Sequence, residues 1–188
     1  MKPTSQIAAV VTDLDGTLLT DDKRVNDEDL RVLQNLEKLG VKRIAATGRN
    51  LKTAKEVLNP DFPIDYLVFS TGSGIYDWNH KEIIHASELA HEVASEIIDC
   101  FIDQGFDFTV HEPIPNNHRF LFHRHNAHNV HFDKYIDLYA DYGQPFDKER
   151  FSRGAVCQLL TIIETDVNKY ETLAADFQKA KFVRTTSP

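Results

Sequence analysis

Short apolar runs alternate with helical leucine spacing along the first third of the chain. Residues 7–11, Ile-Ala-Ala-Val-Val, form a continuous apolar run, the mark of a strand buried on both faces. Residues 27–39 read as a helix: Asn26 can cap it, Leu30, Leu33, Leu36 and Leu39 recur at helical spacing, and Gly40 can end it. Residues 43–46 are a second short strand. Residues 51–58 are a second helix with Ala54, Val57 and Leu58 on one side, and residues 66–69 are a third strand. Strand and helix taking turns in this way predict an α/β fold whose parallel strands lie side by side in the order of the chain.

The pattern changes after Gly74. Residues 75–84 read as a hairpin turning at Asn79-His80. Helix character returns over residues 89–104, with Val93, Ile97, Cys100 and Phe101 in register and Gly105 as the stop. Phe106, Phe108 and Val110 alternate, as do Phe120 and Phe122, so both segments read as strands. Residues 130–142 predict a helix and 156–163 a strand. Val167, Tyr170, Leu173, Ala174 and Phe177 mark a last helix, and residues 181–184 a last strand. The division falls at residues 84–87. Before it lies a Rossmann-like three-layer core, after it an α+β unit with helices on one face of a separate sheet.

Composition narrows the classes. The 188 residues are 41% hydrophobic and 27% charged, which argues against disorder. No apolar run approaches the ~20 residues of a membrane span. The N-terminal MKPTSQ lacks the apolar stretch of a signal peptide. A net charge of −8 with no basic run argues against nucleic-acid or anionic-membrane partners. Cys100 and Cys157, each among apolar neighbours, read as buried reduced thiols of a cytoplasmic protein.

Two carboxylates, Asp13 and Asp15, stand two residues apart where the first strand ends, within Val-Val-Thr-Asp-Leu-Asp-Gly-Thr-Leu-Leu. Side chains at i and i+2 of an extended segment point the same way. Both acids then face the crevice beyond the carboxyl end of the sheet, where open α/β folds bind ligands. Two anions so close call for a cation or a proton between them. The spacing suggests Mg²⁺ on oxygen ligands from Asp13 and Asp15, with one acid ionised and the other moving a proton. Gly16 allows the turn that follows. The plainer reading is a turn with two solvated acids; an EF-hand loop does not fit the spacing. Thr47-Gly48-Arg49, 34 residues after Asp13, ends the second strand and joins a hydroxyl, backbone N–H groups and a guanidinium into a candidate anion site at a helix N-terminus. Its plainer reading is Thr47 as an N-cap. Thr71 and Gly72 close the third strand in a similar way.

These residues carry a resemblance. Asp13 to Leu19 (DLDGTLL), Ala46 to Arg49 (ATGR) and the glycine-containing turn and hairpin from Thr71 to Asp77 resemble the haloacid dehalogenase superfamily of phosphohydrolases, in its Cof-type branch with a class IIB cap. The resemblance implies residues 1–84 as the N-terminal half of a Rossmann-like core, 85–184 as an inserted α+β cap that selects the substrate, and 185–188 as the start of a return to the core. It implies a Mg²⁺-dependent phosphatase acting on a small phosphorylated metabolite through an aspartyl-phosphate intermediate. Asp13 is then the nucleophile. Asp15 is the general acid/base and gives a backbone carbonyl to the metal. Thr47 hydrogen-bonds the transferring phosphoryl group, with Gly48, Arg49, Thr71 and Gly72 on the substrate side. The family has Asn-Gly-Ala where this chain has Thr71-Gly72-Ser73. Its phosphate-binding Lys and its GDxxND metal motif follow the cap and are not found in these 188 residues, so the expectation is little Mg²⁺-dependent activity from residues 1–188 alone.

Three other readings stand beside this one: a phosphomutase of the same chemistry, a non-catalytic binding module, and a metal-binding protein. The last rests on His111, His118, His123, His125, His128 and His131, six of the nine histidines. His123 and His125 would share a strand face, yet no Cys or acid cluster completes a tetrahedron around them.

Overall fold

The structure, a computed structural model, describes residues 7–125, 129–151, 154–163 and 167–184. The chain forms two compact units, Met1–Ser87 and Glu88–Pro188.

The first unit is a five-stranded sheet in the order β1-β2-β3-β4-β5. Its strands are β1 (Ala9–Asp13), β2 (Lys42–Ala46), β3 (Tyr66–Phe69), β4 (Gly74–Asp77) and β5 (Glu82–Ala86). The first three run parallel; β4 and β5 are antiparallel additions. Helix α1 (Asp27–Lys38) starts where the Asn26 side chain accepts the Asp29 N–H, and Gly40 follows it at a φ of 71°. Helix α2 (Leu51–Val57) is capped by Asn50, whose side chain accepts the Thr53 N–H.

Both helices cover one face of the sheet. Glu37 of α1 pairs with Arg43, and Lys55 of α2 lies over the Tyr76 ring, 3.9 Å from its centroid. Two right-handed crossovers advancing in the same direction have this result. Ala45, Leu67 and Phe69 are completely buried beneath them. On the opposite face Ile44, Tyr66, Val68 and Ile75 stay half-buried.

The first strand departs from expectation. Among the described residues β1 pairs with β2 alone, so it is an edge strand, and Val11 is 62% exposed. Val11 pairs in register with Ile44 and so lies on the face opposite the two helices; burial of a strand on both faces needs a layer over each, which an apolar run cannot specify by itself.

The second unit holds a four-stranded sheet in the order β8-β7-β6-β9, built from β6 (Phe108–His111), β7 (Phe120–His123), β8 (Gly143–Pro145) and β9 (Gln158–Thr161). Its helices are α3 (His91–Asp103), α4 (Val130–Leu138), the single turn α5 (Lys148–Phe151) and α6 (Val167–Asp176). Phe108 and Val110 pack on Ala94, Ile97, Ile98 and Phe101 of α3 and on Leu173 of α6. On the other face Phe120 packs on Phe132 and Ile136 of α4. The helices thus cover both faces of this sheet, a correction to the one-sided arrangement expected. The reason is β6, whose four residues are all buried and so need cover above and below. Residues 181–184 form no strand; Phe182 stacks on Phe177 instead, with ring centroids 6.4 Å apart. The expected return to a core at 185–188 lies outside the described residues. No helix among the described residues is long and apolar enough to cross a membrane.

Candidate active site

Three loops meet at the carboxyl ends of β1, β2 and β3. The parallel register sets Asp13 beside Ala46, and Ala46 beside Val68. Thr47 therefore follows β2 at the level where Asp13 ends β1.

After Asp13 the chain doubles back on itself. Leu19 N–H donates to Leu14 O at 2.7 Å, Gly16 N–H to Leu19 O at 3.1 Å and Leu18 N–H to Asp13 O at 3.3 Å. Gly16, at a φ of 75°, makes the reversal. Leu14, Leu18 and Leu19 are buried and anchor the loop, while Asp13 and Asp15 on either side of Leu14 stay exposed. This alternation agrees with two carboxylates on one side of an extended segment.

Thr47 is 7% exposed, and its hydroxyl accepts the Arg49 N–H at 3.1 Å. Because Asn50 caps α2, Thr47 is not the helix cap, and Thr47-Gly48-Arg49 is a turn ahead of the helix rather than its first turn. The helix-terminus reading of the anion site is corrected accordingly; what remains there is a hydroxyl and a guanidinium. Ser70, Thr71 and Gly72 brace this turn from β3. All three have positive φ, at 51°, 54° and 93°. Ser70 N–H donates to Arg49 O at 2.8 Å and Thr71 N–H to Thr47 O at 3.2 Å. Left-handed backbone at two non-glycine residues is strained, and here two hydrogen bonds to the Thr47 turn hold it.

The two acids differ sharply. Asp15 accepts from Arg49 Nε at 2.7 Å and Arg49 Nη2 at 2.8 Å, a two-pronged contact, and from Lys23 Nζ at 3.1 Å. The Arg49 guanidinium, helped by Lys23 and opposed by partial burial, pulls the Asp15 carboxyl down to about 2. The Asp13 carboxylate has no side-chain partner among the described residues. The structure thus places Asp13, Asp15, Thr47, Gly48, Arg49, Thr71 and Gly72 together, but it turns Arg49 onto Asp15. Lys23 was missed. In the sequence it sits in a polar run, Thr-Asp-Asp-Lys-Arg, that reads as solvated loop.

The donors suit Mg²⁺ in a limited way. The Asp13 carboxylate and the Asp15 main-chain carbonyl are oxygens that accept no hydrogen bond among the described residues, whereas both Asp15 carboxylate oxygens are engaged by cations. No three His, Cys, Asp or Glu side chains converge among the described residues. Two protein oxygens fit an ion that keeps several waters and takes phosphate oxygens.

The histidine tract is dispersed. His111 is buried: its Nδ1 donates to Asn117 O at 2.9 Å, and its Nε2 lies 3.0 Å from the Thr109 hydroxyl. His123 stacks on Phe108 at 5.0 Å. His125 lies beyond the end of β7 and donates its N–H to Asp107 at 2.7 Å. His131 is exposed on α4, and His128 lies outside the described residues.

Comparison with known proteins identifies what this arrangement is similar to. A family model described as haloacid dehalogenase-like hydrolase matches residues 10–187. A Bacillus subtilis protein named 5-amino-6-(5-phospho-D-ribitylamino)uracil phosphatase is 30% identical over 87 residues, which are 44% of this chain and 35% of the relative. A Serratia proteamaculans HMP-PP phosphatase is 34% identical over 86 residues, 46% of this chain and 31% of that protein. A phosphatase of the superfamily from Bacteroides thetaiotaomicron has the same fold, with a TM-score of 0.73 at 17% identity over 94% of this chain and 63% of that one. A HAD subclass IIB sugar phosphatase gives 0.66 at 18% identity, over 94% and 65%. The matches thus span about a third of the curated relatives and less than two thirds of the solved chains.

Proposed function

The chain belongs to the haloacid dehalogenase-like hydrolase family, and on that premise we propose that the protein is a Mg²⁺-dependent phosphatase of small phosphorylated metabolites, working through an aspartyl-phosphate intermediate. The observation that carries the reading is the contrast between the two acids: Asp13 stands at the sheet's carboxyl edge with its carboxylate uncommitted among the described residues, while Asp15 is held by Arg49 and Lys23. A nucleophile must be accessible, and a proton carrier must stand close to it, as Asp15 does two residues on, free to take a proton once its cations turn to another anion. The names of the Bacillus and Serratia relatives support a phosphorylated metabolite as substrate.

In this reading an Asp13 oxygen attacks phosphorus and the bond to the leaving oxygen breaks. Asp15 gives that oxygen a proton, then takes one from the water that releases phosphate from Asp13. The acid step requires the Arg49 and Lys23 hydrogen bonds to leave the Asp15 carboxylate, because a carboxylate accepting from both cations holds no proton. The Thr47 hydroxyl donates to a phosphoryl oxygen. Thr71 and Gly72 act indirectly, by fixing the turn that presents Thr47. Mg²⁺ held by the Asp13 carboxylate and the Asp15 carbonyl would offset charge on the transferring group. The test is phosphate release from a panel of phosphorylated metabolites with Mg²⁺, using the protein in its longest natural form. Asp13→Asn is expected to lower kcat by about 10⁴-fold or more. Near-normal turnover by that variant contradicts the covalent route.

A further inference from the structure

Lys23 sits at a φ of 60°, a left-handed conformation that side-chain-bearing residues adopt at a free-energy penalty. A closed turn imposes it. Lys23 N–H donates to Thr20 O at 2.9 Å and Thr20 N–H to Arg24 O at 2.9 Å. The Thr20 hydroxyl lies 2.8 Å from Arg24 O and 2.7 Å from Asp22 Oδ1, and it accepts the Arg24 N–H at 3.3 Å. The strained turn delivers the ammonium to Asp15, 3.1 Å away and eight residues back along the chain.

The destination matters because Arg49 reaches the same carboxylate from a different loop, 34 residues on. Two cations from two loops thus converge on one anion at the carboxyl edge of the sheet. The Lys23–Asp15 pair is exposed, at 52% and 39% of the two side chains, and exposed ion pairs return little stability. Stability therefore does not account for a lysine in a left-handed turn where glycine would be relaxed. The donor set has another use: a forked guanidinium and a point-charge ammonium are the donors that hold a phosphate dianion. In a chain of net charge −8, they also offset the repulsion an anion meets as it approaches Asp13.

We propose that Lys23 is a phosphate-binding residue of this site, which together with Arg49 exchanges the Asp15 carboxylate for the phosphate of the substrate. The proposal rests on the phosphatase reading above. It adds a cation from the loop after β1 to the groups already assigned.

Inorganic phosphate is the probe, titrated into protein with ¹⁵N-labelled lysine and arginine side chains. Phosphate is expected to shift the Lys23 Nζ and Arg49 Nε resonances. Lys23→Gly is expected to weaken phosphate binding about tenfold, Lys23→Arg by no more than about threefold, as charge-assisted contacts are lost or kept. Lys23→Gly is also expected to melt no lower than the parent, because glycine relaxes the turn; a merely structural lysine gives a lower melting temperature. Undiminished phosphate binding by Lys23→Gly, with Thr47→Ala weakened, overturns the role of Lys23 and leaves the phosphatase reading standing. Phosphate shifts confined to lysines and arginines other than Lys23 and Arg49 overturn both.

Discussion

Asp65 and Arg43 form a nearly buried ion pair at the end of the sheet opposite the acids, with side chains 9% and 4% exposed. The Asp65 carboxylate accepts from Arg43 N–H at 2.9 Å, Arg43 Nε at 3.0 Å and Lys42 Nζ at 3.2 Å, joining the starts of β2 and β3. Burial alone would raise its pKa, but the Arg43 and Lys42 hydrogen bonds outweigh burial and hold the carboxyl at about 2. An unfolded aspartate titrates near 3.9, so this group stabilises the fold fully above about pH 4 and stops doing so as pH falls towards 2. That difference corresponds to about 2–3 kcal/mol at neutral pH. Asp65→Asn removes the charge and leaves the Arg43 guanidinium with Glu37, whose side chain is 63% exposed. The expected loss is about 2–3 kcal/mol, and Asp65→Ala, which also strips the acceptors, about 3–5 kcal/mol.

The assay is built into the molecule. The single tryptophan, Trp78, is 3% exposed and donates its main-chain N–H to Asp65 O at 2.9 Å. Urea unfolding followed by its fluorescence therefore reports on the first unit. The gap between parent and Asp65→Asn is expected to close as pH is lowered from 5 towards 2. A gap below about 0.5 kcal/mol at pH 7, within the range of an ordinary surface substitution, refutes the reasoning. So does a gap that does not narrow in acid.

Two further outcomes are expected. Burial lowers the His111 pKa to about 4, so the folded second unit stays neutral there while an unfolded histidine takes its proton near 6.5. Stability is then full above about pH 6.5 and falls by about 3 kcal/mol as pH drops to 4; thermal melts by circular dichroism across that window test it, with His111→Gln flattening the slope. Gly74→Ala places a Cβ 2.1 Å from the Phe69 ring, which is itself completely buried. Overpacking of that kind costs about 1–3 kcal/mol, measured by the same Trp78 fluorescence.

Local chemistry made much of this molecule legible in its sequence, and non-local pairing hid the rest. Helix α1 announced itself through Asn26, the leucine spacing and Gly40, all within one segment. Strand β8 did not, because Gly143-Gln144-Pro145 has no alternation; it exists through pairing to β7, with Phe120 N–H on Tyr142 O and Phe146 N–H on Phe122 O. Residues 181–184 show the converse, a strand-like run that among the described residues pairs with no strand. Val11 misled in a related way, since apolar composition does not reveal whether a layer covers both faces of a strand. At the candidate site, the meeting of Asp13, Asp15, Thr47 and Arg49 at one end of the sheet could be read from type and spacing. That Arg49 reaches Asp15, and that a left-handed Lys23 aims at the same carboxylate, depends on loop geometry that spacing does not encode. Thr47 looked like a helix cap because Asn50, three residues on, was equally able to serve and does.

The central claim is that Asp13 receives the phosphoryl group. The direct measurement is acid quenching of the protein in its longest natural form during turnover of a phosphate ester with Mg²⁺, followed by mass spectrometry of its peptides. One phosphoryl group on the peptide containing Asp13, absent from Asp13→Asn and discharged by hydroxylamine, is the result expected of an acyl phosphate at that carboxylate. Turnover with no phosphoryl group on that peptide, or with the group carried by another residue, contradicts the claim.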